Sequence, residues 1–172
     1  MKIITGNLKG RTITTKYIKE TRPTMNRVKE SLVSLISLED SVFVDLFAGT
    51  GGVGFEALSN NAKTVIFNDR EKINVLNIKK NLEKFNIHKA YLYNLDYRLL
   101  LKKLKKDNLA ITYMYLDPPY KSNIQEIVLN IEKKDLDIKY LIIETNQALN
   151  FPYLLVKHKN YSDKSIYIYK IK

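Results

Sequence analysis

Asp117-Pro118-Pro119-Tyr120 combines residue types suited to holding the amino group of a planar base. The carboxylate and the carbonyl that follows it accept hydrogen bonds. The two prolines fix φ and lack an N–H, which stiffens the backbone. The tyrosine supplies a flat face on which a base can stack. The same tetrapeptide also serves as an ordinary turn after a strand, so its chemical meaning depends on what the chain places beside it.

Glycine is spent sparingly, yet Gly49, Gly51, Gly52 and Gly54 fall within Asp45-Leu-Phe-Ala-Gly49-Thr-Gly51-Gly-Val-Gly54. Such clustering marks a turn where side chains would clash with a ligand or with neighbouring backbone. Gly49-x-Gly51-x-x-Gly54 has the form of a dinucleotide fingerprint, but Asp45 just before it would repel a pyrophosphate. Asp45 suits an amine or a cation instead. Asp69, ending the next strand, can hydrogen-bond both hydroxyls of a ribose, and Asp96, after the third, can meet an adenine amine. Three carboxylates around one glycine turn suit S-adenosylmethionine, which carries an amino group, a ribose and a sulfonium. The expected cofactor set is Asp45, Phe47, Ala48, Gly49, Thr50, Gly51, Asp69, Arg70, Asp96 and Asp117. Structural roles compete for two of the acids: Asp69 could start the following helix, and Asp96 could cap its own.

The elements that must position these residues follow from hydrophobic period. Strands are predicted at 41–47, 63–68, 90–94, 110–116 and 138–144, and helices at about 52–60, 71–86, 97–106 and 122–133. Val75, Ile78, Leu82 and Phe85 form the apolar stripe of the second of these helices. Alternating strands and helices with nearly continuous apolar strand cores predict an α/β fold, its parallel sheet covered on both faces. Extended patterns at 153–157 and 165–171 suggest an antiparallel closing hairpin. Before the sheet, residues 2–16 read as a β-hairpin around Gly6 and Gly10, a basic arm carrying Lys2, Lys9, Arg11 and Lys16. A helix follows Pro23, with Thr24 as candidate cap and Val28, Leu32, Leu35 and Ile36 on one face.

Composition narrows the chemistry. With 172 residues, 45% hydrophobic and 27% charged, the chain suits one globular domain. It has no cysteine, so disulfides, thiolate metal sites and a cysteine nucleophile of the kind used in pyrimidine-C5 methylation are excluded. Two histidines make an imidazole zinc site improbable, and no metal is expected. A net charge of +11 favours a polyanionic partner, although lysine-rich solvated faces arise without one. No apolar run is long enough for a bilayer, and the first residues lack the core of a signal peptide. A cytoplasmic location and a monomer are the expectations.

Several blocks together resemble the RsmD-type bacterial 16S rRNA guanine-N2 methyltransferases. They are Ile3-Ile4-Thr5-Gly6 with Lys9-Gly10-Arg11, Thr21-Arg22-Pro23-Thr24 with Arg27-Val28-Lys29-Glu30, the glycine turn, Glu56-Ala57-Leu58-Ser59, Asn81-Leu82 and Leu116-Asp-Pro-Pro-Tyr120. The glycine turn and Asp-Pro-Pro-Tyr are widespread among methyltransferases. The Arg-Pro-Thr block with the basic hairpin is more specific. The resemblance implies a Rossmann-like class I methyltransferase with a mostly parallel seven-stranded sheet, and S-adenosylmethionine as donor. Its implied acceptor is a guanine in small-subunit rRNA, met during ribosome assembly. Residues 1–172 would form one methyltransferase domain, with 1–20 as the arm and 21–172 as the catalytic core. Departures include Tyr120, where the family often has phenylalanine, and Asn68, where an apolar residue is more usual.

The expected catalytic set is Asp117, Pro118, Pro119 and Tyr120. Lys9, Arg11, Arg22 and Arg27 are expected to hold RNA phosphates, although Arg22 and Thr24 could equally shape the cofactor pocket. Lys102, Lys103, Lys105 and Lys106 extend the basic surface or are plain solvated helix. Rival readings are an amino-methyltransferase acting on DNA adenine or protein glutamine, and a non-enzymatic RNA-binding assembly factor.

Overall fold

The computed structural model of the chain describes residues 1–15, 23–161 and 164–172, with the side chains of 23–27 outside that description. Its elements run α1 (Pro23–Leu35), β1 (Val42–Asp45), α2 (Gly52–Ser59), β2 (Thr64–Asn68), α3 (Lys72–Lys84), β3 (Ala90–Tyr93), α4 (Tyr97–Lys106), β4 (Ile111–Leu116), α5 (Ile124–Glu132), β5 (Ile138–Thr145), β6 (Leu154–Asn160) and β7 (Ser165–Lys170). The seven strands form one sheet in the order β3-β2-β1-β4-β5-β7-β6. β1 to β5 are parallel, and β7 runs antiparallel between β5 and β6. This is the Rossmann-like seven-stranded architecture that the family resemblance implies. The order reverses between β1 and β4, and in such sheets the crevice at the strand C-termini is where ligands bind.

Side-chain alternation divides the core between the two faces. Phe43, Val65, Phe67 and Tyr115 point toward Val28 and Leu32 of α1, Phe55 of α2 and Ile78 of α3. Val44, Leu46, Ile66, Met114 and Leu116 point toward Leu100 and Leu104 of α4 and Ile127 and Ile131 of α5. β1, β2 and β4 are therefore apolar on both sides, which explains their unbroken hydrophobic runs. Gly54 lets α2 lie close on β2: a Cβ there would stand 2.1 Å from the Phe67 ring. In α3, Ile78, Leu82 and Phe85 are buried as the stripe predicts, while Val75 is only half-buried.

Three local expectations change. β1 ends at Asp45, so Phe47 belongs to the turn and not to the strand. Helix α1 already includes Pro23 at its first position, where a missing N–H costs nothing, so Thr24 lies inside the helix and is not its cap. The N-terminal hairpin closes through the Lys2–Thr12 bridge and the Ile3 N–H to Arg11 carbonyl bond at 3.0 Å, but the arm is docked on the domain. Ile3 and Ile13 are buried in the core. Thr14 exchanges two 2.8 Å hydrogen bonds with the Asn81 amide of α3, so its backbone is satisfied by a helix and not by a strand. Lys16, Thr21 and Arg22 lie outside the described residues. Among the described residues, no helix is long and apolar enough to cross a membrane.

Candidate active site

The C-terminal ends of β1, β4 and β5 deliver a row of polar side chains to the sheet face covered by α1 and α2. Asp45 lies on the Phe43 side of β1 and pairs in register with Tyr115 of β4. Tyr115 pairs with Ile142 of β5, and Glu144 stands two residues further along that same face. The Tyr115 hydroxyl donates to Glu144 Oε2. Lys164, just before β7, donates to Glu144 Oε1 at 2.7 Å and to Asp117 Oδ1 at 3.0 Å. One connected network thus runs Tyr115–Glu144–Lys164–Asp117.

Asp45 is almost wholly buried. Its Oδ2 accepts from the Gly54 N–H at 3.1 Å, and Oδ1 has no partner among the described residues. Burial raises its pKa to about 8 against the helix N–H, with Asp117, Asp69 and Glu144 adding to the rise. Asp117 is pushed up to about 6, first by burial and then by Glu144, with Lys164 opposing. Burial works against the Lys164 ammonium, but Asp117 and Glu144 outweigh it and its pKa is raised.

Three adjoining cavities meet at Asp117. The first, about 380 Å³, is lined by Asp117-Pro118-Pro119-Tyr120, by Glu144, Thr145, Asn146 and Gln147, and by Lys164. Tyr120 forms its outer wall; the ring is 79% exposed, and its hydroxyl accepts from Asn146 Nδ2 at 2.8 Å. The second, about 230 Å³, lies under the glycine turn and includes Asp45, Phe47, Ala48, Gly49, Thr50, Lys29 and Asp117. The third, about 240 Å³, lies between Phe47, Gly49, Asp69, Arg70 and Pro119, again with Asp117. Gly49 has φ +52°, and a Cβ there would project into open space.

The structure thus brings most of the expected site residues together. Asp69 combines two roles: Oδ2 accepts from the Gly49 N–H at 2.7 Å, bracing the turn, and Oδ1 accepts from the Glu71 N–H at 2.8 Å at the start of α3. Gly51 is the left-handed N-cap of α2 and lines none of the three cavities. Asp96 lines none of them either; it caps α4 by accepting from the Arg98 N–H at 2.9 Å. The unusual Asn68 is buried, and its amide donates to the carbonyls of Leu46 and Leu95, tying the ends of β1 and β3.

Sequence reasoning passed over Glu144, Asn146 and Lys164. Glu144 carried a usable signal, because a carboxylate at the end of Leu141-Ile142-Ile143 repeats the logic applied to Asp45. It also passed over Lys29 and Glu56, a buried ion pair at 3.3 Å. Glu56 accepts from the backbone of Ile4 and Thr5 and from the Thr5 hydroxyl, while Lys29 donates to the Lys2 carbonyl at 2.9 Å. Burial lowers the Lys29 pKa, with Glu56 resisting. This pair docks the N-terminal segment, leaving Lys9 and Arg11 exposed, with the Arg11 guanidinium 5.5 Å from the centre of the Phe85 ring. On α4, Lys103 pairs with Asp107, and Lys105 pairs with Asp135.

Residues 1–170 match the family model described as "Conserved hypothetical protein 95". Ribosomal RNA small subunit methyltransferase D of Buchnera aphidicola is 32% identical over 176 residues, which is 97% of this chain and 91% of the relative. The chain belongs to this RsmD-type family. A solved Escherichia coli protein, yhhF, provisionally described as a methyltransferase, superposes with a TM-score of 0.86 over 99% of this chain and 97% of its own, at 22% identity. A more distant neighbour, SMU.776, was solved in complex with SAH; it has a TM-score of 0.71 at 14% identity, over 88% of this chain and 50% of its own. Both show the shared fold. For an RsmD-type protein the donor is S-adenosylmethionine, and the glycine turn, Asp45 and Asp69 are the chain's own groups nearest the second and third cavities.

Proposed function

We propose that the protein methylates the exocyclic N2 amine of a guanine in 16S rRNA during small-subunit assembly. The observation that carries this reading is Asp117, whose carboxylate is shared by the acceptor cavity and by both cavities beside the glycine turn. A methyl acceptor and a methyl donor must meet along one line, and Asp117 is the residue that all three spaces have in common. Residues 1–172 act as one methyltransferase domain in this reading.

The residues present fit the donor. Oδ1 of Asp45 is unpartnered among the described residues and suits the amino group. Asp69 and Arg70 line the third cavity on the side suited to the ribose. S-adenosylmethionine, when bound, supplies a methyl group already activated on a sulfonium, so no acid is needed to prepare it. The chain's own task is then alignment. Guanine N2 is a weak nucleophile because its lone pair is delocalised into the ring. Asp117 and the Pro118 carbonyl accept its two N–H bonds and favour a pyramidal nitrogen with its lone pair aimed across the junction of the cavities. Pro118 and Pro119 keep that carbonyl from swinging. Tyr120, tethered by Asn146, stacks on the base. The proton lost from nitrogen passes to Asp117. A guanine held within a helix has to be flipped out of its stack first. Lys9 and Arg11, with Arg22 and Arg27, hold RNA phosphates and set the register.

The test is transfer of tritiated methyl groups to small-subunit assembly particles from a strain lacking the gene, followed by nucleoside mass analysis. Wild type yields N2-methylguanosine at one position, and Asp117→Ala reduces kcat by at least about a hundredfold, the scale of a lost positioning and proton-accepting group. A wild type that labels no guanine N2 overturns the reading. A fully active Asp117→Ala overturns the role given to Asp117.

A further inference from the structure

The Lys164–Asp117 ion pair occupies the acceptor seat. Lys164 Nζ stands 3.0 Å from the Asp117 oxygen that, in the reading above, receives an N–H of the substrate amine. The ammonium is itself an N–H donor, so it takes the place of that amine on the carboxylate. Its other carboxylate contact is closer, at 2.7 Å to Glu144 Oε1. The two anchors differ in exposure and in how they are held. The Glu144 side chain is 5% exposed and its second oxygen is held by the Tyr115 hydroxyl, whereas the Asp117 side chain is 33% exposed. A competing donor therefore breaks the pair at its Asp117 end and leaves Lys164 on Glu144.

We propose that Lys164 is a positioning residue: it holds Asp117 ionised and aimed until the substrate amine arrives, then yields that oxygen to the amine while remaining bound to Glu144. The inference rests on the acceptor role given to Asp117. Around that carboxylate stand Glu144 from β5, Tyr115 from β4, Asp45 from β1, Asp69 and Arg70 from the turn after β2, Lys29 from α1, and Tyr120. The nearby acids disfavour a charged Asp117, and the other cations are engaged elsewhere: Lys29 by Glu56 and Arg70 by Glu71. Among the described residues, Lys164 is the one cation in ion-pair contact with Asp117. Without it, the seat is occupied by a proton near neutral pH and cannot accept the amine.

This role predicts a loss that depends on pH. A contact cation accounts for about one pKa unit or more, so the acidic limb of kcat/KM for Lys164→Met moves up by about one pH unit or more. Near pH 6 the variant is about fivefold or more below wild type, the deficit approaches about tenfold at lower pH, and it narrows as pH rises past the shifted limb. Lys164→Gln, which keeps a donor without the charge, shifts the limb in the same direction, and Lys164→Arg restores it. The measurements are kcat/KM against pH on undermethylated small-subunit particles, and ¹³C titration of the Asp117 carboxyl, assigned by its loss in Asp117→Asn. An unchanged limb, or a loss of equal size at every pH, overturns the proposal. If wild type transfers no methyl to rRNA, the proposed function fails on its own. The carboxyl titration still decides the pairing: the same midpoint in wild type and Lys164→Met overturns it, and an upward shift in the variant supports it.

Discussion

Asp45→Asn separates what the buried acid costs the fold from what it contributes to binding. In the unfolded chain this carboxyl ionises near 3.8, and in the folded protein near 8. Between those values the native state keeps a proton that the unfolded state has released, so stability falls as pH rises through that window. Asparagine has nearly the same shape and can still accept the Gly54 N–H through its carbonyl, but it carries no proton to lose. From about pH 5 to about pH 8, roughly three units at about 1.4 kcal/mol each make wild type lose about 4 kcal/mol relative to the variant. That figure is an upper bound, because relaxation around the carboxylate lowers it. The unpaired asparagine N–H₂ adds a penalty of about 1–3 kcal/mol, but one that does not change with pH. The assay is urea unfolding of both proteins across this range, taking the difference in unfolding free energy at each pH. The remaining ionisable groups are the same in both proteins, so their contributions largely cancel. A difference that moves by less than about 1 kcal/mol would refute the reasoning, since it would mean that the folded carboxyl ionises normally. The same variant should bind S-adenosylmethionine at least about tenfold more weakly by calorimetry, the cost of one charge-assisted hydrogen bond. An acid that costs the fold stability and, in the proposed reading, binds the donor amine is the trade expected of a binding site.

Two further outcomes follow from the docked N-terminal segment. Glu56→Ala leaves the buried Lys29 ammonium without its counter-charge and the Ile4 and Thr5 N–H groups without acceptors, and should destabilise the protein by about 3–5 kcal/mol in urea unfolding; Lys29→Met with Glu56→Met should recover only the part due to the uncompensated charge, and a cost below about 1 kcal/mol for the single change would contradict the clamp. Lys9→Ala with Arg11→Ala should lower the slope of log affinity against log salt for rRNA fragments by about 1.4, at about 0.7 for each lost phosphate contact, and an unchanged slope would remove these two residues from the interface.

The parts of this molecule legible in its sequence are those governed by local period or by local cost. The central strands could be placed because β1, β2, β4 and β5 are apolar runs bounded by turn residues, and a parallel sheet buried on both faces requires that pattern. Asp45 could be singled out because an acid inside Val-Phe-Val-Asp-Leu-Phe has no cheap structural explanation. Asp69 and Asp96 were open to two readings, since a carboxylate after a strand both faces the crevice and precedes a helix. Asp69 combines bracing of the glycine turn with the start of α3, and Asp96 caps α4. The hairpin forms, with Lys2 bridged to Thr12 and Ile3 N–H bonded to the Arg11 carbonyl, but its docking was not legible, because the side chains that hold Ile4 and Thr14 are Glu56 and Asn81, 52 and 67 positions away. Local pattern can show that a segment is extended and cannot show what it is bonded to. Lys164 is the extreme case. It is one lysine among many in a chain of net charge +11, and it stands 47 residues from Asp117 and 20 from Glu144. Its position follows from β7 being inserted antiparallel beside β5, which carries the residue before β7 back to the C-terminal end of the sheet. The cation therefore reaches the site through topology alone, and no spacing rule in the sequence could have nominated it.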